Sequence, residues 1–257
     1  MAVGAVAGLL AGLLGIGGGL VIVPMLAFSF AAQGVAEPHI LHMALGTSLA
    51  SIIFTSLSSL WAHHKRQAVI WPVMVRITPG LLIGTFFGSW VASQLSSQFL
   101  KVFFGLFLFY VATQMLLGIK PKPSRELPGM AGKSAAGGVI GIFSSLVGIG
   151  GGTLSVPFLV YHNTAMHRAI GTSAALGLPI AIAGACGYIV NGLGVGDLPA
   201  GSIGFIHLTA LCGVVAASIF TAPLGARLAH SLPVAGLRKI FSVLLYFVGI
   251  RMLLSSL

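Results

Sequence analysis

Apolar residues fill positions 2–14 and 20–32 almost without interruption, then 42–62, 69–94 and 100–118. After a polar, proline-rich stretch the plan starts again, at 135–147, 153–161, 169–190, 203–229 and 237–254. A helix of about 20 apolar residues crosses the roughly 30 Å of bilayer hydrocarbon, so the longer runs predict full spans. The shorter runs reach only about 20 Å as helix, and they come in adjacent pairs. A transmembrane barrel would alternate polar and apolar positions along each strand. Here the runs are continuous, and helices, which satisfy their own backbone, are the expected element.

Glycine splits each pair of short runs. Gly15-Ile16-Gly17-Gly18-Gly19 precedes Val23-Pro24, and Gly148-Ile149-Gly150-Gly151-Gly152 precedes Val156-Pro157 at the same spacing, 133 residues later. Glycine serves where backbone takes positive φ or approaches another group closely. The proline ring frees the carbonyl four residues before it, that of Leu20 or Thr153. Other stretches also recur. His42 through Ser48 is echoed by His167 through Ser173, with Gly-Thr-Ser in both, and Leu100-Lys101 is echoed by Leu237-Arg238. The duplication therefore covers nearly the whole chain. Small residues at four-residue spacing, Gly80, Gly84, Gly88 and Ala92 in one half and Gly213 through Ala229 in the other, predict close helix contacts.

Composition supports the membrane reading. The chain is 57% hydrophobic and 6% charged, against roughly 25% charged in soluble domains. Its net charge of +10 would suggest nucleic acid in a soluble protein. Here the bases sit in short loops, as in cytoplasmic loops of membrane proteins. The expected partner is the lipid bilayer, with no nucleic acid. The bases also orient the chain. If each glycine-broken segment crosses the membrane, they divide eight against five. If each is re-entrant, eleven share one side and only Lys101 and Arg251 face the other, which fits the positive-inside tendency far better.

The re-entrant arrangement leaves three full spans per half, an odd number, so the halves are inverted. The expected fold is an all-α polytopic membrane protein of two inverted repeats, each a glycine-broken re-entrant hairpin plus three transmembrane helices. Residues 1–118 hold hairpin 2–32 and spans 42–62, 69–94 and 100–118. Residues 119–134 form a cytoplasmic linker. Residues 135–257 hold hairpin 135–161 and spans 169–190, 203–229 and 237–254. Inverted repeats with broken helices at the midplane are a transporter architecture.

The chemistry is sparse. A Walker loop needs Gly-Lys-Ser/Thr, and Leu20 or Thr153 stands there instead. A dinucleotide fingerprint needs a preceding strand. No cofactor, metal site or catalytic residue is read, and Ser48 with His207 lacks the nucleophile elbow of a serine hydrolase. Cys186 and Cys212 read as small buried hydrophobes. The only acids are Glu37, Glu126 and Asp197, all in loops. A carrier of cations or protons keeps a carboxylate within its spans, so the expected substrate is a small anion.

Its candidate site lies at the two tips, expected to meet near the midplane. Backbone amides and helix N-termini there attract anions: Gly17, Gly18 and Gly19 in the first copy, and Gly150, Gly151, Gly152 and Thr153 in the second. Thr47, Ser48, Thr172 and Ser173 are the candidate hydroxyl donors. Tight packing is the alternative for the glycines, and back-bonding within a helix for the hydroxyls. Both alternatives stay open at this point, as do the roles of Arg76, Arg251, His42, His167 and His207. A homo-oligomer is equally open.

Gly12 through Gly19 with Val23-Pro24, the second copy with Val156-Pro157, and the paired Gly-Thr-Ser motifs resemble the sulfite exporter TauE/SafE family. The resemblance implies a bacterial inner-membrane permease, not an enzyme. It would be a secondary transporter exporting small sulfur-containing anions such as sulfite or an organosulfonate, by alternating access around a midplane site between the tips. A passive anion channel and a non-transporting membrane enzyme or scaffold are the alternatives. One departure stands out. Thr153 and Ser155 replace Leu20 and Ile22 of the first copy, so polar contacts are expected mainly from the second half.

Overall fold

The computed structural model describes residues 18–118, 124–218 and 234–255. Residues 2–17 of the first hairpin, including Gly17, residues 119–123 of the linker and residues 219–233 of the span at 203–229 lie outside the described residues.

Nine helices and one small hairpin of strands are described. In chain order they are α1 (Gly19–Ala32), α2 (Glu37–Lys65), α3 (Trp71–Gln94), α4 (Ser97–Leu117), α5 (Met130–Val147), α6 (Gly152–Tyr161) and α7 (Met166–Gly192). Then β1 (Ser202–Ile203) pairs antiparallel with β2 (Ile206–His207), before α8 (Leu208–Ser218) and α9 (Val234–Leu254). Five of these, α2 to α5 and α7, are long and apolar enough to cross a membrane.

Their ends follow local chemistry. Glu37 and Pro38 open α2, where an acid meets the positive end of the helix and proline costs no hydrogen bond. Ser96 caps α4 by accepting the Phe99 amide at 3.1 Å, and Gly118 closes it in the left-handed region at φ 61°, a common helix stop.

Small residues set the packing. A methyl added at Gly80 would meet Ser134, one at Gly84 would meet Gly138, and one at Gly88 would meet Ile142. Hence α3 and α5 run parallel with backbones in near contact, as small-residue interfaces allow. Helices α2 and α7 run antiparallel, with Gly177 beside Ser56 and Gly184 beside Leu49. Helices α4 and α9 are also antiparallel: Gly105 lies beside Leu253, Phe109 and Tyr246 meet tilted with centroids 5.6 Å apart, and Thr113 shares a 2.6 Å hydrogen bond with the Tyr246 hydroxyl. The outer surface carries Phe54, Trp61, Ile83, Phe87, Trp90, Leu106 and Phe247, all exposed, as a lipid-facing surface requires.

Three local expectations change. Helix α5 begins at Met130, inside the stretch assigned to the linker, and Lys133 is buried in its first turn. The span expected at 203–229 opens as a β-hairpin and becomes helical only at Leu208. Gly204, at φ 53°, presses on the Ile189 backbone there, a turn that a continuous helix cannot make. Cys186 and Cys212 are exposed rather than buried.

The second glycine break folds back on itself. Helix α5 starts six residues after Ser124, and the Ser124 amide donates to Tyr161 O at 3.1 Å. The end of α6 thus returns to the linker from which α5 departs.

Candidate functional site

Both breaks use one backbone device. Gly18, preceding α1, has φ 70° and ψ −16°, and Gly151, preceding α6, has φ 76° and ψ −11°. This is left-handed backbone, which side chains other than glycine adopt at a cost. Gly148 ends α5 at φ 67°, its amide bonded back to Ser144 O. The amides of Leu154 and Ser155 both close onto Gly151 O, at 3.0 and 2.7 Å. That leaves the amides of Gly152 and Thr153 outside the helix's own ladder, as at any helix start, and α6 presents roughly half a positive charge there.

The two tips touch. A methyl on Gly19 would stand 2.5 Å from Gly148 O and 3.0 Å from the Ile149 Cα. Gly19 therefore faces Gly148 and Ile149. Gly150 lies against Ile52 of α2 and Gly177 of α7. Both contacts fall close to the midpoints of those long helices, so the second tip sits at mid-depth in the bundle.

The predicted hydroxyls divide by role. The Ser48 hydroxyl donates to Gly148 O at 2.9 Å. Its one proton satisfies the open end of α5 and is not available to a ligand. Thr47 Oγ1 accepts the His207 amide at 3.1 Å, and Thr172 Oγ1 accepts the Ile70 amide at 3.0 Å. These threonines pin the loops that precede α8 and α3. Ser173 is different: its hydroxyl is buried with no partner among the described residues.

Sequence reasoning missed Ser144 and left Ser155 out of the site. Both are fully buried, and neither hydroxyl has a hydrogen-bond partner among the described residues. A methyl built on Gly151 would lie 3.4 Å from Ser155 Oγ and 3.7 Å from Ser144 Oγ, so the two hydroxyls flank the glycine at the tip. Thr153 Oγ1, in the first turn of α6, is also buried and unpartnered. Buried polar groups are nearly always hydrogen-bonded, and leaving one unsatisfied costs about 1–3 kcal/mol. Three such donors beside a helix N-terminus form a set with no acceptor among the described residues. The signal available in sequence was Ser144-Ser145 inside the otherwise apolar and glycine arm 135–147, where the first copy carries Ala11-Gly12.

Two cavities open at the N-termini of α2 and α7, hence at opposite ends of that antiparallel pair. One, of about 850 Å³, is lined by residues including Glu37, His39, His42, Ser96, Ser97, Gln98, Phe205 and Ser255. The other, of about 500 Å³, is lined by Ile70, Asn163, Thr164, Ala165, His167 and Arg168. His42 stacks on Phe205 with centroids 5.1 Å apart, and its two ring nitrogens face the carbonyl oxygens of Pro38, Ala92 and Leu95. It ties the start of α2 to the end of α3. His207 lies edge-on to Phe30. Among the described residues no cluster of three or more metal-ligating side chains occurs.

Comparison with known proteins gives a consistent result. The family model described as "Sulfite exporter TauE/SafE" matches residues 1–252. A "Probable membrane transporter protein" of Haemophilus influenzae is 39% identical over 98% of this chain and 96% of its own length. A protein named likewise from Methanocaldococcus jannaschii is 29% identical over 98% of this chain and 93% of its own length. "Probable membrane transporter protein MamO" of Magnetospirillum gryphiswaldense is 24% identical over 96% of this chain but 43% of its own length. No solved structure matches.

Proposed function

We propose, for a chain that belongs to the sulfite exporter TauE/SafE family, that it is a secondary transporter exporting a small sulfur-containing oxyanion, sulfite or an organosulfonate, by alternating access around the second glycine tip. That it is a multi-pass membrane protein of a transporter family follows from the match and from its five candidate spans. The substrate, the mechanism, the exporting direction and residence in a bacterial inner membrane are our reading. No catalytic step is assigned to any residue.

One observation carries the substrate class. The hydroxyls of Ser144, Thr153 and Ser155 are buried without partners among the described residues where α6 begins, and the whole chain has three acids, none in this region. An oxyanion with several acceptor oxygens satisfies several donors at once. Donors to a charged acceptor gain about 1.5–3 kcal/mol each, and no buried base is needed, which would itself be costly in a membrane. The two cavities then serve as the approaches from either face, with Arg168 at one and Lys101 behind the other.

Reciprocal contacts support the inverted halves. Thr47 holds the His207 amide and Thr172 holds the Ile70 amide. A methyl on Gly46 would stand 2.8 Å from Phe205 O, and one on Gly171 would stand 2.6 Å from Ala68 O. Each member of these pairs is the repeat counterpart of the other. A two-fold relation in the membrane plane produces such exchange, and the return of α6 to the linker fits a re-entrant hairpin.

Sulfite flux in liposomes reconstituted with purified protein tests the reading. Saturable flux whose half-saturating concentration rises about tenfold or more in Ser155→Ala, with the protein still folded, is the expected outcome. Flux that never saturates identifies a pore. Absence of both sulfite binding and flux removes the transport reading.

A further inference from the structure

We propose that Lys101 is a second anion-binding group, at the mouth of the larger cavity, and that Glu37 is its tethered lid. Only the identity of the anion rests on the transporter reading above. The Lys101 ammonium lies 2.6 Å from Glu37 Oε1, in the one ion pair among the described residues, and its side chain is 7% exposed while that of Glu37 is 73% exposed. The pair is therefore lopsided. The ammonium is fixed and buried in the second turn of α4, and the carboxylate stands in the open.

Each partner has a different alternative. Glu37 is the first residue of α2, so a rotated carboxylate still faces water and the positive end of its own helix. Lys101 has no such refuge. Its other partner is the Ser255 carbonyl at 3.3 Å, a neutral group that cannot balance a buried charge. Glu37 and Ser255 both line the cavity of about 850 Å³, so the ammonium stands directly behind them. When the carboxylate swings out, the ammonium faces the cavity with no other counter-charge among the described residues. A small anion arriving there restores it. Ser97 adds a donor on the same wall: its oxygen accepts the Leu41 amide at 3.3 Å, and its own proton has no acceptor among the described residues. Glu37 thus occupies the position an anion would take, and the two compete.

The test is thermal stabilisation of detergent-purified full-length protein by sodium sulfite, and in parallel by sodium sulfate, at constant ionic strength. A ligand that binds the folded state raises Tm by mass action. Glu37→Gln keeps an acceptor for Lys101 but removes the competing charge, and an exposed carboxylate tolerates the change. Both anions are expected to bind Glu37→Gln about threefold to fivefold more tightly than the native protein, as suits loss of a half-exposed ion pair. The gain is expected to vanish in Glu37→Gln/Lys101→Gln and to persist in Glu37→Gln/Lys101→Arg. Gly151→Ala in the Glu37→Gln background separates the sites: the gain survives there even if the glycine tip binds nothing. Equal stabilisation of native and Glu37→Gln protein overturns the proposal, as does a gain that persists without a positive charge at position 101.

Discussion

The two glycine tips share a backbone and differ in chemistry. Gly18 and Gly151 adopt nearly the same left-handed conformation before a helix with proline in its second turn. Around the first, Leu20 and Ile22 are buried and apolar. Around the second, Thr153 and Ser155 take the corresponding places, and Ser144 joins them from the preceding arm. Duplication kept the device that breaks the helix, and the donors lie in one copy. The shared part therefore serves architecture, bringing the start of α1 into contact with the second tip near the middle of the bundle. The part that differs is where a ligand's chemistry belongs. Substitutions matched across the copies separate these two roles.

The largest effect is expected where the tips touch. A methyl at Gly19 would press on the Gly148 carbonyl and the Ile149 Cα, which are backbone and cannot rotate away. Gly19→Ala should destabilise by about 1–3 kcal/mol, as overpacking does, and abolish sulfite flux. The apparent Tm of purified protein and liposome flux measure both. Normal flux from this variant would mean that contact between the tips is incidental.

The threonines come next. Thr47→Val and Thr172→Val each strip one amide of its acceptor, that of His207 or Ile70. Each should cost about 1–3 kcal/mol, and the two losses should match, because the contacts are reciprocal. A loss confined to one threonine breaks the equivalence of the halves.

Ser48→Ala should cost less, about 1 kcal/mol, because a carbonyl such as Gly148 O tolerates incomplete hydrogen bonding better than an amide does. Its counterpart Ser173→Ala removes a hydroxyl with no partner among the described residues and should leave Tm unchanged. Chemical denaturation or thermal melting of the two variants side by side reads the difference.

How much of this the sequence could reveal depends on the range of the interaction. The glycine breaks were legible because glycine and proline act on their own backbone, and the helices because apolar length reports the solvent around them. Which residues of the tips meet was not: the repeat alone pairs Gly17, Gly18 and Gly19 with Gly150, Gly151 and Gly152, whereas Gly19 lies against Gly148 and Ile149. The turn at 202–207 was not, since Ile203, Phe205 and Ile206 read on into the apolar helix that follows, and the close fit of Gly204 against Ile189 is a contact with distant chain. Nor was the division among hydroxyls. Ser48 and Ser173 occupy the same place in the same motif, yet one bonds Gly148 O and the other bonds nothing described. Which acceptor a hydroxyl meets is decided by chain 100 residues away, and local pattern carries no trace of it. Lys101 read as a surface base for the same reason, since its carboxylate partner comes from α2.

The smallest effect on stability is expected at Ser144, a hydroxyl that the proposed site assigns to binding. Ser144 Oγ is buried and finds no acceptor among the described residues. Removing a partnered hydroxyl costs stability, but removing an orphan relieves a desolvation penalty already incurred. Ser144→Ala should therefore leave Tm unchanged or raise it slightly. The same substitution in a site that binds an oxyanion should weaken sulfite binding by about 1.5–3 kcal/mol, since the lost bond is to a charge. Stability and affinity then move in opposite directions. A packing role for Ser144 predicts the reverse, a lower Tm with affinity intact, so one melting series with and without sulfite decides between them. Ala11→Ser, which adds the matching hydroxyl to the first copy, completes the comparison. If the chemistry belongs to the second tip alone, that hydroxyl does not restore binding to Ser144→Ala.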